Sequence, residues 1–170
     1  MIIRAAMAVL AVVSAFGAEP EQVRFSAGDE SVTRPIRVPD EIVEILKNDG
    51  AVRQVLESEH LSAGRLPMSW FAASEVHLGG PKEKDIVVVG IGKLKRANLT
   101  TFWVFRPMHL GYEVLLSASE HDLTVTDEPW KGYRIIKTSA VTATSIRGAS
   151  YRFEGGQYKM FKDSSVKRAE

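Results

Sequence analysis

Apolar residues are spaced differently in the two halves of the chain. The runs Asp85-Ile86-Val87-Val88-Val89-Gly90 and Thr101-Phe102-Trp103-Val104-Phe105-Arg106 are continuous, short and rich in β-branched or aromatic residues. Bounded by turn formers or charge, such runs predict strands rather than helices. Residues 112–117, which contain Val114, Leu115 and Leu116, read the same way. Because these stretches lack alternation, both of their faces are expected to be covered. Beyond residue 120 the spacing becomes alternate, in residues 123–126, 132–138 and 141–147. Those strands are expected to turn one face to water. Tyr151-Arg152-Phe153-Glu154 and residues 158–161 flank Gly155-Gly156, the best two-residue hairpin candidate in the chain.

The pattern before residue 60 is helical. Pro39-Asp40-Glu41 predicts a helix start with Asp40 as cap, and Ile42, Ile45 and Leu46 form its apolar stripe. Asn48-Asp49-Gly50 stops that helix, and residues 51–57 predict a second one that buries Val52, Val55 and Leu56. Residues 69–78 hold Trp70, Phe71, Val76 and Leu78, their second half reading as a strand, and Gly79-Gly80-Pro81-Lys82 is a turn. The predicted fold is α+β: an N-terminal helical hairpin packed on a curved, predominantly antiparallel β-sheet, a meander. Helices can cover only one face of the central strands. A curled sheet, a second sheet or a partner must cover the other, and the pattern does not choose among them.

Residues 1–17 change the expected boundaries. Arg4 precedes a charge-free apolar run from Ala5 to Phe16, and Ala15 and Gly17 stand at −3 and −1 of a cut after Gly17. This is the layout of a secretory signal, and the run is short of the ~20 apolar residues of a spanning helix. The expected organisation is a signal peptide at 1–17, a polar lead-in at 18–38 with one short edge strand at 21–25, one domain at 39–161 and a flexible tail at 162–170. The expected location is periplasmic or secreted, with no membrane span after cleavage. The chain carries 22 Lys+Arg against 21 Asp+Glu, and Arg4 is that one extra cation. The processed chain is then formally neutral, which gives no electrostatic ground for a nucleic-acid partner. Cysteine is absent, which excludes disulfides, thiolate metal sites and cysteine nucleophiles.

Little catalytic chemistry is legible. Glu75 and His77 lie two apart on a predicted strand and share a face, and His121-Asp122 is a second acid–imidazole pair. A zinc site needs three or four converging ligands, so these four residues are a weak alternative to no metal at all. No Gly-x-Ser-x-Gly elbow is present. Gly90-Ile91-Gly92 lacks the third glycine of a dinucleotide fingerprint, because Lys95 holds that place. No cofactor is expected. Trp130, by contrast, falls between Pro129 and Lys131 in a predicted turn, with Tyr133 and Arg134 just beyond. An exposed aromatic in a secreted β domain can stack on sugar or anchor a partner. The other reading of Trp130 is a plug folded over the end of the sheet. Trp130, Lys131, Tyr133 and Arg134 are the candidate ligand-binding residues.

The stretch from Glu75-Val76-His77-Leu78-Gly79-Gly80 through Asp85-Ile86-Val87-Val88-Val89-Gly90 resembles the outer part of an FG-GAP or VCBS-type repeat, in which an acidic calcium loop precedes an Asp-Leu-Val-Val-Gly-like strand. The continuation through Phe102-Trp103-Val104-Phe105, Gly132-Tyr133 and Tyr151-Arg152-Phe153-Glu154 is similar to uncharacterised secreted bacterial proteins that are β-rich. Pro81, Lys82 and Lys84 stand where calcium-loop acids belong, and one such segment does not make a propeller. The resemblance implies an exported β-rich domain without a defined activity. The expected function is therefore a non-catalytic binding or interaction module of the bacterial envelope, with an envelope protein or polysaccharide as partner. The alternative is a hydrolase acting on an envelope polymer through Glu75, His77, His121 and Asp122.

Overall fold

The computed structural model describes residues 22–29, 31–80 and 83–167; the signal-like residues 1–17 lie outside them. The protein is mostly β: two five-stranded antiparallel sheets and two short helices. The first sheet has the order β2 (Pro35–Ile36), β3 (Phe71–Val76), β4 (Asp85–Gly90), β5 (Thr100–Met108) and β6 (Gly111–Glu120). In the second, β1 (Val23–Ser26) joins a meander of β7 (Asp122–Trp130), β8 (Tyr133–Val141), β9 (Ser145–Glu154) and β10 (Gln157–Lys167). The chain passes from one sheet to the other at His121, whose amide donates to the Ser139 carbonyl.

The continuous apolar runs are the strands of the first sheet, and their alternate residues enter two separate cores. Ile86, Val88, Trp103 and Phe105 pack against the helical side with Ile42, Leu46, Val52 and Leu56. Val87, Val89, Phe102 and Val104 pack against the second sheet with Phe25, Leu123, Val125 and Ile136. A second sheet is therefore what covers the other face, and the single curved meander is corrected to two stacked sheets. In β8 the alternation is direct: Arg134, Ile136 and Thr138 are buried and their neighbours are half-exposed.

The helices α1 (Asp40–Leu46) and α2 (Gly50–Ser58) are short and consecutive, and the predicted helical hairpin is not evident. Asp40 does not cap α1. Pro39 holds the cap position without a side-chain bond, and Asp40 pairs instead with Arg37 at 2.8 Å. The cap of α2 is Asp49, whose Oδ1 accepts from the amides of Ala51 and Val52. Its Oδ2 accepts from the Trp103 indole at 2.9 Å, so one carboxylate starts the helix and fastens it to the sheet.

Three further boundaries differ from the sequence pattern. Residues 142–144 are a turn, not part of a strand, and the Thr142 hydroxyl bonds to Ser145 across it. Residues 162–167 are not a loose tail, because β10 continues along β9 to the Lys167–Ser145 pair. Polar composition hid that strand because it lies at the sheet edge, exposed along most of its length. Likewise β2, in the polar lead-in, belongs to the first sheet, whereas β1 is an edge strand of the second, close to where the lead-in is expected to hold one.

Candidate functional site

The turn that carries Trp130 is tighter than its sequence suggests. Lys131 and Gly132 have φ of 49° and 84°, the left-handed pair of a two-residue hairpin, so Trp130 and Tyr133 close the strand ladder on either side. The hairpin separates the four candidate residues. Lys131 stays at the tip with its Nζ 5.7 Å from the Trp130 ring centroid. Arg134 is buried; its Nε donates to the Thr126 carbonyl and an Nη donates to the His77 carbonyl at 3.4 Å. Tyr133 stacks on Phe153 at 4.2 Å between centroids, and Phe153 meets Tyr158 edge-on.

Trp130 instead gains partners that sequence reasoning missed. Arg152 lies between Tyr151 and Phe153, both packed with the inter-sheet core, so its own side chain takes the opposite face of β9. There its guanidinium stands 4.7 Å from the Trp130 ring and 5.2 Å from the Phe161 ring. Glu154 Oε1 holds the same guanidinium at 2.7 Å. Phe161 occupies the register shift between Met160 and Lys162 and is 42% exposed. The result is an outward strip of two aromatics with a cation between them, rimmed by Lys131 and Glu154. Alternation across residues 151–154 could have marked Arg152 as outward. Its meeting with Trp130 and Phe161 depends on strand register and a bulge, which alternation does not encode.

Tyr133 belongs to a second constellation, between the sheets. Asp85 is 0% exposed, and its carboxylate accepts from Arg106 Nε at 3.1 Å and from the Leu78 amide at 3.2 Å. Burial pushes the Asp85 carboxyl above its ordinary value, against the pull of Arg106 and the Leu78 amide. Arg106 also pairs with Glu83 at 3.4 Å and lies over the Tyr133 and Phe153 rings at 4.9 and 4.8 Å. Tyr158 donates to the Arg134 carbonyl at 2.8 Å, and burial holds its hydroxyl firmly protonated. Gly79 permits this packing: a Cβ there would meet the Glu83 carboxylate and stand 2.7 Å from Tyr133 Cε1. The acids of the calcium-loop-like segment thus have cations of their own chain as partners: Arg106 for Glu83 and Asp85, and Lys84 for Glu75 at 3.4 Å.

The metal alternative divides in the same way. His77 Nδ1 lies 2.6 Å from the Glu83 carbonyl. Asp122 pairs with Arg24 at 3.0 Å, accepts from Ser139 and lies 3.0 Å from His121 Nδ1. No group of three or more His, Cys, Asp or Glu side chains able to hold a metal occurs among the described residues. The basic connection before β5 is also engaged, with Lys93 on Glu59, Lys95 on the Asp29 carbonyl and Arg96 on Gln54. No helix among the described residues is long and apolar enough to cross a membrane.

No family model, curated protein or solved structure matches the chain.

Proposed function

We propose that the protein is an exported, non-catalytic binding module of the bacterial envelope, and that it binds an envelope polysaccharide or protein through the Trp130–Arg152–Phe161 strip. The observation that carries this reading is the Arg152 guanidinium held between two aromatic rings on the outward face of the second sheet. Such a stack fixes two flat apolar surfaces and leaves cation edges for hydrogen bonding, the composition of interface anchors. The Trp130 side chain is half-exposed, and because its indole Nε1 is buried without a hydrogen-bond partner among the described residues, it is the ring and not the N–H that would meet a ligand. The signal-like pattern of residues 1–17 supports the exported, periplasmic or secreted location. The hydrolase alternative draws less support, since Glu75, His77 and Asp122 each hold a different structural partner.

The test is retention on isolated envelope material. Trp130→Ala is expected to weaken retention by ~2 kcal/mol, a hot-spot-sized loss, while the circular dichroism spectrum stays that of the parent. Arg152→Gln is expected to weaken it as well, and Glu75→Ala with His77→Ala to leave it unchanged. Retention unaffected by Trp130→Ala in a folded protein removes the strip from binding. Turnover of an envelope polymer abolished by the Glu75 and His77 substitutions establishes the hydrolase instead.

A further inference from the structure

A second surface feature lies on the other face of β9 and β10 and runs away from the turn that carries Trp130. Glu120 at the end of β6, Arg147 and Tyr151 on β9, and Met160 and Asp163 on β10 line a groove of about 520 Å³. Its size is that of a small-molecule site. What marks it is that several polar groups without side-chain partners converge on one space. Glu120, Arg147, Tyr151 and Asp163 make no side-chain hydrogen bond and no ion pair among the described residues. Elsewhere charged side chains are repeatedly paired: Arg106 with Asp85, Asp122 with Arg24, Arg152 with Glu154 and Lys93 with Glu59. Arg147 and Asp163 are near-diagonal neighbours, since Arg147 faces Ser165 and Asp163 faces Ala149, yet they do not close on one another. Burial pushes the Glu120 carboxyl above its ordinary value, and the more distant Arg147 charge offsets this only in part.

Two carboxylates, one guanidinium and one phenol facing a common space define the complement of a particular ligand. An ammonium suits Glu120 and Asp163, and a carboxylate suits Arg147, for which a guanidinium offers paired N–H donors. Tyr151 and Met160 supply the apolar contact that a short aliphatic body needs. We propose that this groove binds a small zwitterion, an amino acid or the free ends of a short peptide. The ammonium lies between the two acids and the carboxylate on Arg147. This site is separate from the outward aromatic strip and does not depend on it.

The probe is L-alanyl-L-alanine, titrated into the ¹⁵N-labelled protein and followed by amide chemical shifts. Saturable shifts are expected at residues 147–151 and 160–165. N-acetylation of the probe and amidation of its carboxylate are each expected to weaken binding about tenfold, the loss of one charge-assisted contact. Glu120→Gln should weaken the free dipeptide and leave the N-acetylated probe unchanged, and Arg147→Gln should do the converse with the amide. Trp130→Ala should change none of these values, which separates this site from the strip. Absence of saturable shifts at millimolar dipeptide overturns the proposal. So does equal binding of the free, acetylated and amidated probes, or equal binding by the parent and both groove variants.

Discussion

The two ends of the space between the sheets are built from the same strands and treat charge in opposite ways. At one end Arg106 of β5 and Phe153 of β9 enclose Asp85, Tyr133 and Tyr158. At the other, six residues back along each strand, Thr100 pairs with Glu120 across β5 and β6, and Glu120, Arg147 and Asp163 line an open groove without closing an ion pair. Aromatic rings account for the difference. Where Tyr133, Phe153 and Tyr158 fill the gap, a charge survives only when fully paired, because an unpaired ion in a dry site is too costly. Where the sheet edges carry Gly148, Ala149, Ser164 and Ser165, the side chains are too small to fill the gap and the charges stand apart from one another.

The largest expected effect breaks the closed end. Arg106→Ala leaves Asp85 buried with only the Leu78 amide, and removing one member of a buried pair costs about 3–5 kcal/mol. Urea unfolding at neutral pH should show that loss. Without Arg106 the Asp85 carboxyl rises further, so the folded state takes up a proton more readily. The penalty should therefore shrink as pH falls below the raised Asp85 value. A loss within ~0.5 kcal/mol, that of an ordinary surface change, would show that the pair does not hold this end together.

The two ends were not equally legible in the sequence. Unbroken apolar runs marked β4 and β5 as covered on both faces, and even β4's limits, Asp85 and Gly90, follow from the pattern. The same pattern could not say that a second sheet does the covering. That depends on β7 to β10 folding back at His121, a residue with no turn signature. Asp49 shows a similar limit. Its place before Gly50 reads as a helix stop, yet it is also the cap of α2 and the acceptor for Trp103, 54 residues away. Trp130 was legible as unusual but not its company, since Arg152 and Phe161 reach it through register. Pro107 reads as the end of β5, but the strand continues to Met108. The pairing of β4 already stops at Phe105, so the missing N–H breaks no ladder bond on that side.

A finer version of the comparison sits at the corner between the sheets. Glu120 and Asp122 flank His121, and their carboxyls are displaced in opposite directions. For Asp122, burial alone would raise it, but bonds from Ser26, Arg24, His121 and Ser139 outweigh burial and hold it below its ordinary value of 3.8. A depressed carboxyl contributes stability that is present above the unfolded value and is lost as pH falls through the folded one. Asp122→Asn should thus lower stability at neutral pH by about 1.5–3 kcal/mol, the range for hydrogen bonds to a charged group. The difference from the parent should close in acid, below the Asp122 folded value. A difference independent of pH would mean that the carboxylate's charge does not matter there.

The smallest effect is expected at Glu120, and its sign is the reverse. Its folded carboxyl is raised above 4.5 because burial disfavours the charge and no bond compensates. The folded state therefore holds the Glu120 proton more tightly than the unfolded chain does. Relative to Glu120→Gln, the parent should be favoured below the unfolded value, and that advantage should disappear as pH rises through the folded one. At neutral pH the substitution should then be neutral or slightly stabilising, within the ~0.5 kcal/mol of surface changes. Parallel pH–stability curves for Asp122→Asn and Glu120→Gln should diverge from the parent in opposite senses across the acid range. Two curves that bend the same way would show that Glu120 has an unseen partner when folded, and the open end would then be as fully paired as the closed one.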